Sequence, residues 1–308
     1  MDEPTSVLTP QEVESLFKTL NALVKEGRTI LYITHKLEEV ITLCNEVTIM
    51  RNGEVIDTSS TANQTSKSLA TKMLGQNLDE LKTDYTHIND FINFKARKIS
   101  CTFNDPFFTD LKNISFEVKE GEIFGIAGVA GNGQDELMEL LIGEKATDYD
   151  VLYFDGHDIG SLNSHERRQL SMFFIPEERL GHGAVPDMSL DENMLLSRPE
   201  SDKMTSRDVI DWDIVSTFTQ KVISDFDVQT PSGRMLAKSL SGGNLQKFMV
   251  GRELIRKPKL LIVSQPTWGV DAGSANNIHQ SLIALADQGS AILIISQDLD
   301  EILSLCEQ

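Results

Sequence analysis

Residues 2–46 read DEPTSVLTPQEVESLFKTLNALVKEGRTILYITHKLEEVITLCNE, and residues 264–308 read SQPTWGVDAGSANNIHQSLIALADQGSAILIISQDLDEILSLCEQ. The two stretches align without a gap, so that Asp2 falls on Ser264 and Glu46 on Gln308. Scaffold positions agree: Pro4/Pro266, Thr5/Thr267, Leu20/Leu282, Leu23/Leu285, Gly27/Gly289, Ile30/Ile292, Ile33/Ile295, Leu37/Leu299, Glu39/Glu301 and Cys44/Cys306. Three chemically capable positions do not. Asp2, Glu3 and His35 become Ser264, Gln265 and Gln297. A fold kept while an acid, a base and an imidazole are replaced by neutral groups predicts two copies of one domain, one active and one silenced. The first copy starts where the second is nearly finished, which predicts a chain cut at both ends.

Working outward, Thr9, Pro10 and Glu12 have the form of a capping box with proline at the first helical position. Val13, Leu16, Phe17, Leu20, Leu23 and Val24 follow at helical spacing up to Gly27. Thr29 to Ile33 reads as a strand buried on both faces, Lys36 to Cys44 as a helix, and Val47 to Ile56, around Asn52-Gly53, as a hairpin. A polar stretch with one short helix, Ser66 to Leu74, then reads as a linker. The predicted division is therefore a first unit over 1–57, a linker over 58–93 and a second unit over 94–308. In the last, Ile114 to Val118 and Ile123 to Ala127 read as strands, Gln134 to Ile142 and Val209 to Phe226 as helices, and Leu240 to Lys257 as a loop opening a helix. Lys259 to Val263 is an apolar strand running into the repeat. Strands alternating with helices predict an α/β fold with a mostly parallel sheet and ligands at the strands' carboxyl ends.

Composition excludes some functions. A net charge of −19 argues against nucleic acid as a partner, since phosphate neutralisation needs clustered lysine and arginine. No run of apolar residues is long enough to span a bilayer, and the first residues lack the features of a signal peptide, which predicts a cytosolic chain. Cys44, Cys101 and Cys306 are too few and too scattered for a disulfide framework or a zinc site, and read as buried thiols.

Gly128, Gly131, Asn132, Gly133, Gln134 and Asp135 belong to the stretch GVAGNGQD, which has the glycine spacing of a phosphate-binding loop. Gln134 and Asp135 stand where lysine and serine or threonine belong. Backbone N–H groups at a helix start would still cradle phosphate. The missing lysine removes a charge-assisted hydrogen bond of about 1.5–3 kcal/mol, against about 0.5–1.5 for a neutral donor such as Gln134. Taken alone, the stretch is equally a glycine-rich turn.

Leu240-Ser241-Gly242-Gly243-Asn244-Leu245-Gln246-Lys247 is the most specific string in the chain. It resembles the signature motif of ATP-binding cassette (ABC) proteins, whose serine hydroxyl and helix N-terminus face the γ-phosphate of ATP. The resemblance implies a P-loop cassette fold, with the end of one cassette followed by most of a second. It implies that Asp2 holds Mg2+ through water, that Glu3 polarises the attacking water, and that His35 contacts the γ-phosphate, with Ser6 to Thr9 at the D-loop position. Read singly, Glu3 is a surface carboxylate and His35 a loop imidazole; the repeat's spacing favours catalysis. In this family two cassettes pair head to tail, so Ser241, Gly242, Gly243 and Asn244 would complete the site of Asp2, Glu3 and His35. The site on Gly128 to Gln134 would be degenerate.

Duplicated cassettes of this kind, with the segment from Ile175 to Asn193, look like importers of simple sugars, and the strings DEPTSVLTPQEVE and VSQPTWGVDAG are closer to the nucleoside branch. The resemblance implies ATPase activity in the full-length assembly and an inactive fragment. It also implies membrane permease subunits as partners, an extracytoplasmic solute-binding protein, and a place on the cytoplasmic face of the inner membrane. Pro176 to Asn193 is expected where a cassette meets its permease; the alternative is an ordinary surface loop. The competing readings are a non-catalytic cassette module and a soluble tandem-cassette translation factor, and the polar linker and Gln134 speak against the latter.

Overall fold

A computed structural model describes residues 1–306 apart from 6, 7, 9, 35, 52, 75–87, 104–106, 198–202 and 207–208. His35, Ser6, Thr9 of the expected capping box, and Asn52 of the hairpin turn therefore lie outside the described residues. The chain divides into two compact units, Met1–Glu80 with Asp271–Gly273, and Leu81–Val270 with Ser274–Gln308.

The first unit holds helices α1 (Pro10–Lys25) and α2 (Leu37–Leu43), the antiparallel pair β1 (Glu46–Arg51) and β2 (Glu54–Ser60), and α3 (Ser66–Leu74). Helix α1 ends as its glycine predicts: Gly27 has φ +85°, its N–H reaches Val24 O and the N–H of Arg28 reaches Leu23 O. A small core of Val40, Ile49 and Leu69 joins α2, β1 and α3. The expected strand Thr29 to Ile33 is reduced to one bridge between Asp2 and Ile33. Leu31 is 76% exposed and Ile33 52%. The apolar run is strand-like, but the described residues of this unit supply no sheet to cover it.

The second unit has sheets of its own. Strands β3 (Ile92–Cys101) and β4 (Leu111–Lys119) lead to β5 (Ile123–Ala127) and α4 (Gln134–Ile142). Then come β6 (Leu152–Phe154), β7 (His157–Asp158), α5 (Ser164–Gln169), β8 (Met172–Ile175), α6 (Leu190–Leu196), the short pair β9 (Thr205–Ser206) and β10 (Val209–Ile210), α7 (Trp212–Asp225) and α8 (Gly242–Leu254). The unit closes with β11 (Leu260–Ser264), α9 (Ala272–Ala286), β12 (Ala291–Ser296) and α10 (Leu299–Leu305). Helix α7 starts later than its apolar spacing predicts, because Val209 and Ile210 pair with β9 and the Asp211 carboxylate caps the N–H groups of Asp213 and Ile214.

Four strands form a parallel sheet in the order β5-β12-β11-β8, and a second, antiparallel sheet runs β4-β3-β6-β7. Side chains alternate across the parallel sheet. Phe173, Ile175, Leu261, Val263, Ile292 and Ile294 join one core with residues of α6 to α10, whereas Met172, Phe174, Leu260, Ile262, Leu293 and Ile295 join another with α4 and the antiparallel sheet. Burial on both faces explains why these strands read as unbroken apolar runs. Their carboxyl ends open on one edge, where Gly128, Pro176, Gln265 and Gln297 follow β5, β8, β11 and β12. The three cysteines are free and half-buried, and no helix of the described residues is long and apolar enough to cross a membrane.

The buried Glu253 at the end of α8 organises the far side of this core. Its carboxylate meets Arg252 Nε at 2.8 Å, Arg168 Nη1 at 3.0 Å and Arg256 Nη1 at 3.5 Å. Arg252 and Arg256 in turn bond the carbonyls of Gly183, Asn193 and Met194. Burial works to raise the Glu253 pKa, but the three guanidiniums outweigh it and hold the carboxyl below its ordinary range. Replacing Glu253 by alanine leaves three buried cations with no carboxylate, and is expected to cost about 3–5 kcal/mol in urea unfolding. Because the folded pKa lies below the unfolded one, this stabilisation is present above about pH 4 and is lost as the pH falls further; the wild-type advantage over Glu253→Ala should shrink in that acid range.

Candidate functional site

Helix α8 begins at the string that the sequence singles out. Ser241 is its N-cap, with the hydroxyl accepting from the Asn244 N–H at 3.4 Å and the Asn244 side-chain amide at 2.9 Å. The Asn244 Oδ1 accepts from the Gln229 N–H at 2.8 Å. Gly243 is needed here for space, since a Cβ on it would lie 2.8 Å from the Gly269 carbonyl, while the Arg179 guanidinium packs against Gly242. Ser241 and Gly242 are exposed, so the start of α8 is open to an anion at the positive end of the helix dipole. Arg179, stacked over Trp268 with its guanidinium 5.4 Å from the ring centre, adds a second positive charge at this turn.

At the strand ends a neutral network stands where acids would be expected in an active cassette. Gln265 Oε1 accepts from Ser296 Oγ at 3.4 Å and from the Gln297 N–H at 3.5 Å. Gln246 Nε2 donates to the carbonyls of Gln265 and Pro266 at 3.1 and 3.0 Å, which ties α8 to the turn after β11. Ser264 is buried. Two acids border this network: Glu301, which accepts from Ser296 Oγ at 2.7 Å, and Glu177, which follows β8. The Glu177 pKa is raised by burial and by the charge of Asp135, and lowered by a hydrogen bond with Gln265.

The glycine loop between β5 and α4 has the turn its spacing predicts, with Gly131 and Gly133 at φ +80° and +102°. Gln134, however, does not offer its amide outward. Nε2 donates to Val129 O at 2.8 Å, while Oε1 accepts the Asn132 N–H at 3.0 Å. Asp135 is exposed as a residue, yet desolvation of its carboxyl and the charge of Glu136 push its pKa up. The loop is held from outside by Thr109, whose hydroxyl donates to Gly131 O at 3.0 Å and whose N–H donates to Glu136 Oε1 at 2.6 Å. These residues do not fit a bound triphosphate: the Gln134 amide already engages the Val129 carbonyl and the Asn132 N–H, and the helix that follows opens on the acids Asp135 and Glu136.

The first unit repeats the strand-end geometry with different chemistry. The N–H of Glu3 donates to Ile33 O at 2.8 Å, as that of Gln265 does to Ile295 O at 2.8 Å. Both residues are left-handed, at φ +40° and +49°. Thr5 Oγ1 donates to Glu39 at 2.6 Å, and Thr267 Oγ1 donates to Glu301 at 2.6 Å. Asp2 is exposed and Glu3 half-buried at the end of the bridged segment, and as a hard oxygen donor Asp2 suits a magnesium ion held through water. The sequence shows Glu39 and Glu301 as identical between copies without revealing why; the structure makes them the clamp on the turn that carries Glu3 or Gln265. Glu177 and Arg179 lie within the segment from Ile175 to Asn193, but the sequence assigns them no role, because their partners are distant along the chain.

Further along β8's loop, Asn193 is buried and bonds Val185 through both its oxygen and its nitrogen, and the carbonyls of Met188 and Ser189 through its nitrogen. The segment up to Asn193 is thus a built structure.

Comparison with known proteins agrees with this geometry. The family model for ABC transporters matches residues 111–268. The chain is 35% identical over its whole length to the nucleoside import ATP-binding protein NupA of Lactococcus lactis, of which it covers 60%. It is also 35% identical over its whole length to the galactose/methyl galactoside import ATP-binding protein MglA of Clostridium perfringens, of which it covers 59%. The chain thus spans about 60% of the length of these relatives. A nucleotide-free ATP-binding cassette from an ABC transporter shares the fold at TM-score 0.57 and 22% identity, covering 70% of this chain and 86% of that one. With the family model spanning just over half of the residues, and the cassette fold and signature turn in place, the chain belongs to the ABC transporter family.

Proposed function

We propose that this chain is part of the ATP-hydrolysing subunit of an importer for nucleosides or simple sugars, in which residues 1–57 end a catalytic cassette, 58–93 link, and 94–308 form a degenerate one. One observation carries the reading: the same strand-end turn, with the same clamp, presents Glu3 in one copy and Gln265 in the other. Glu3 is the general base that takes a proton from the attacking water, a step Gln265 cannot perform. His35 contacts the γ-phosphate, a role Gln297 lacks. Ser241, Gly242, Gly243 and Asn244 of the silent cassette dock on the γ-phosphate held by the catalytic one, using the exposed end of α8. Asp2 would hold magnesium, which when bound neutralises phosphate charge. ATP drives closure because it touches both cassettes, and loss of the γ-phosphate releases one of them.

The permease pair, the solute-binding protein and the cytoplasmic face of the inner membrane follow from the same reading, supported by the names of the relatives. Pro176 to Asn193, braced by Asn193 and the Glu253 cluster, is the surface proposed to meet the permease. The strings around Asp2 and Ser264 favour nucleosides over sugars, and uptake of labelled nucleosides against labelled sugars decides between them.

In the full-length assembly Glu3→Gln is expected to lower ATP turnover by about 10²–10⁴-fold, the range for a general base, with ATP binding retained; unchanged turnover removes Glu3 from that role. Gln134→Lys alone is expected to leave steady-state turnover nearly unchanged, because Gln265 and Gln297 remain. Strong added activity from that single change contradicts a silenced second cassette.

A further inference from the structure

The Gly128–Asp135 loop keeps the shape of a phosphate cradle without a phosphate, and the reason lies inside it. The Gln134 side chain turns back over the loop, where its carboxamide makes two bonds of opposite sense: donor to Val129 O at 2.8 Å and acceptor from the Asn132 N–H at 3.0 Å. The Asn132 side-chain amide donates to the same Val129 carbonyl at 3.1 Å. Gly128 leaves the room for this, since a Cβ there would collide with Gln134 Nε2. The loop interior therefore presents a carbonyl oxygen and an amide N–H, both already engaged.

A primary amide matches that pair because it both donates and accepts. A phosphate matches only half of it. It would have to break the bond to the Asn132 N–H, displace the carboxamide and face the Val129 carbonyl, without a cation in return. A lysine in the same place would donate to the carbonyl and leave the N–H for the anion. We infer that Gln134 is the specificity-determining residue of the second loop, a built-in occupant that holds the cradle in its working shape and turns polyphosphates away. Asp135 and Glu177 on the same edge add to the exclusion by charge. The inference rests on the reading of this unit as the silent cassette, but it concerns binding and not hydrolysis. Its consequence for the pair is that the second cassette keeps its signature turn presented without a nucleotide of its own, so that one ATP is read per cycle.

The test uses the 308-residue chain and inorganic pyrophosphate as probe, with hydrogen exchange at the Asn132 amide and calorimetric titration as readouts. In the wild type the Asn132 amide is expected to be protected, and millimolar pyrophosphate is expected to change neither its exchange nor the heat. In Gln134→Ala the amide should exchange about ten-fold faster, the size expected for losing one intramolecular hydrogen bond, and pyrophosphate should bind at least several-fold tighter than to wild type. Gln134→Met, which fills the same space without either hydrogen bond, should show the faster exchange too and serves if the alanine variant does not fold. Wild-type binding as tight as that of the variants, or Asn132 exchange unaltered by both substitutions, overturns the inference. Pyrophosphate binding by the wild type without hydrolysis at the second cassette overturns this inference alone, whereas ATP hydrolysis traced to that cassette overturns the silent-cassette reading as well.

Discussion

The turn after β11 hangs on one carboxylate. Glu301, buried in α10, accepts from Thr267 Oγ1 at 2.6 Å and Ser296 Oγ at 2.7 Å, and so fastens the chain leaving β11 to the end of β12 and to the helix behind them. Glu39 does the same in the first unit, with Thr5 at 2.6 Å and Tyr32 at 2.7 Å. A charged side chain is costly to bury without partners, and here the partners include hydroxyls whose positions define the turn, joined by His279 Nε2 at 2.9 Å from Glu301 and Lys36 Nζ at 3.9 Å from Glu39. Glu3 in the first copy, and its neutral counterpart Gln265 in the second, sit on the turns that this clamp orders. The scaffold could therefore be retained while the chemistry on it was replaced.

The same separation of scaffold from chemistry recurs at the glycine loop and at α8. The loop keeps its backbone turn because Gln134 satisfies from inside what a lysine and a phosphate would otherwise satisfy together. Helix α8 keeps an open N-terminus because Gly242 and Gly243 admit Arg179 and the Gly269 carbonyl at close range. Its far end is anchored by Glu253 among three guanidiniums. A helix fixed deep in the core and exposed at its start is suited to present a rigid anion-binding turn, which is the part proposed for it in the composite site.

Much of this was legible in the sequence, because it is local or periodic. The parallel sheet follows from apolar runs such as Ile123 to Ala127 and Lys259 to Val263, the loop from its glycine spacing, and the α8 turn from Ser241 and two glycines. What escaped was non-local. Thr29 to Ile33 reads like a buried strand, since propensity cannot reveal whether neighbouring strands are there to cover it. The start of α7 was misplaced because an aspartate cap and a two-residue strand pair outweighed apolar spacing. Gln134 reads as a weak outward donor, and only coordinates show that its amide is spent on Val129 and Asn132. The pairing of Glu177 with Gln265 and Asp135 joins residues far apart in the chain, beyond any pattern of spacing.

The account's central claim is that the acid-bearing strand end of the first copy and the serine-glycine turn of the second border one nucleotide. A structure of the full-length protein trapped with ATP tests this most directly. The account predicts the Ser241 hydroxyl and the start of α8 in hydrogen-bonding contact with the γ-phosphate of the nucleotide whose attacking water lies beside Glu3. A nucleotide flanked by Glu3 with Ser241 remote from it would contradict the claim.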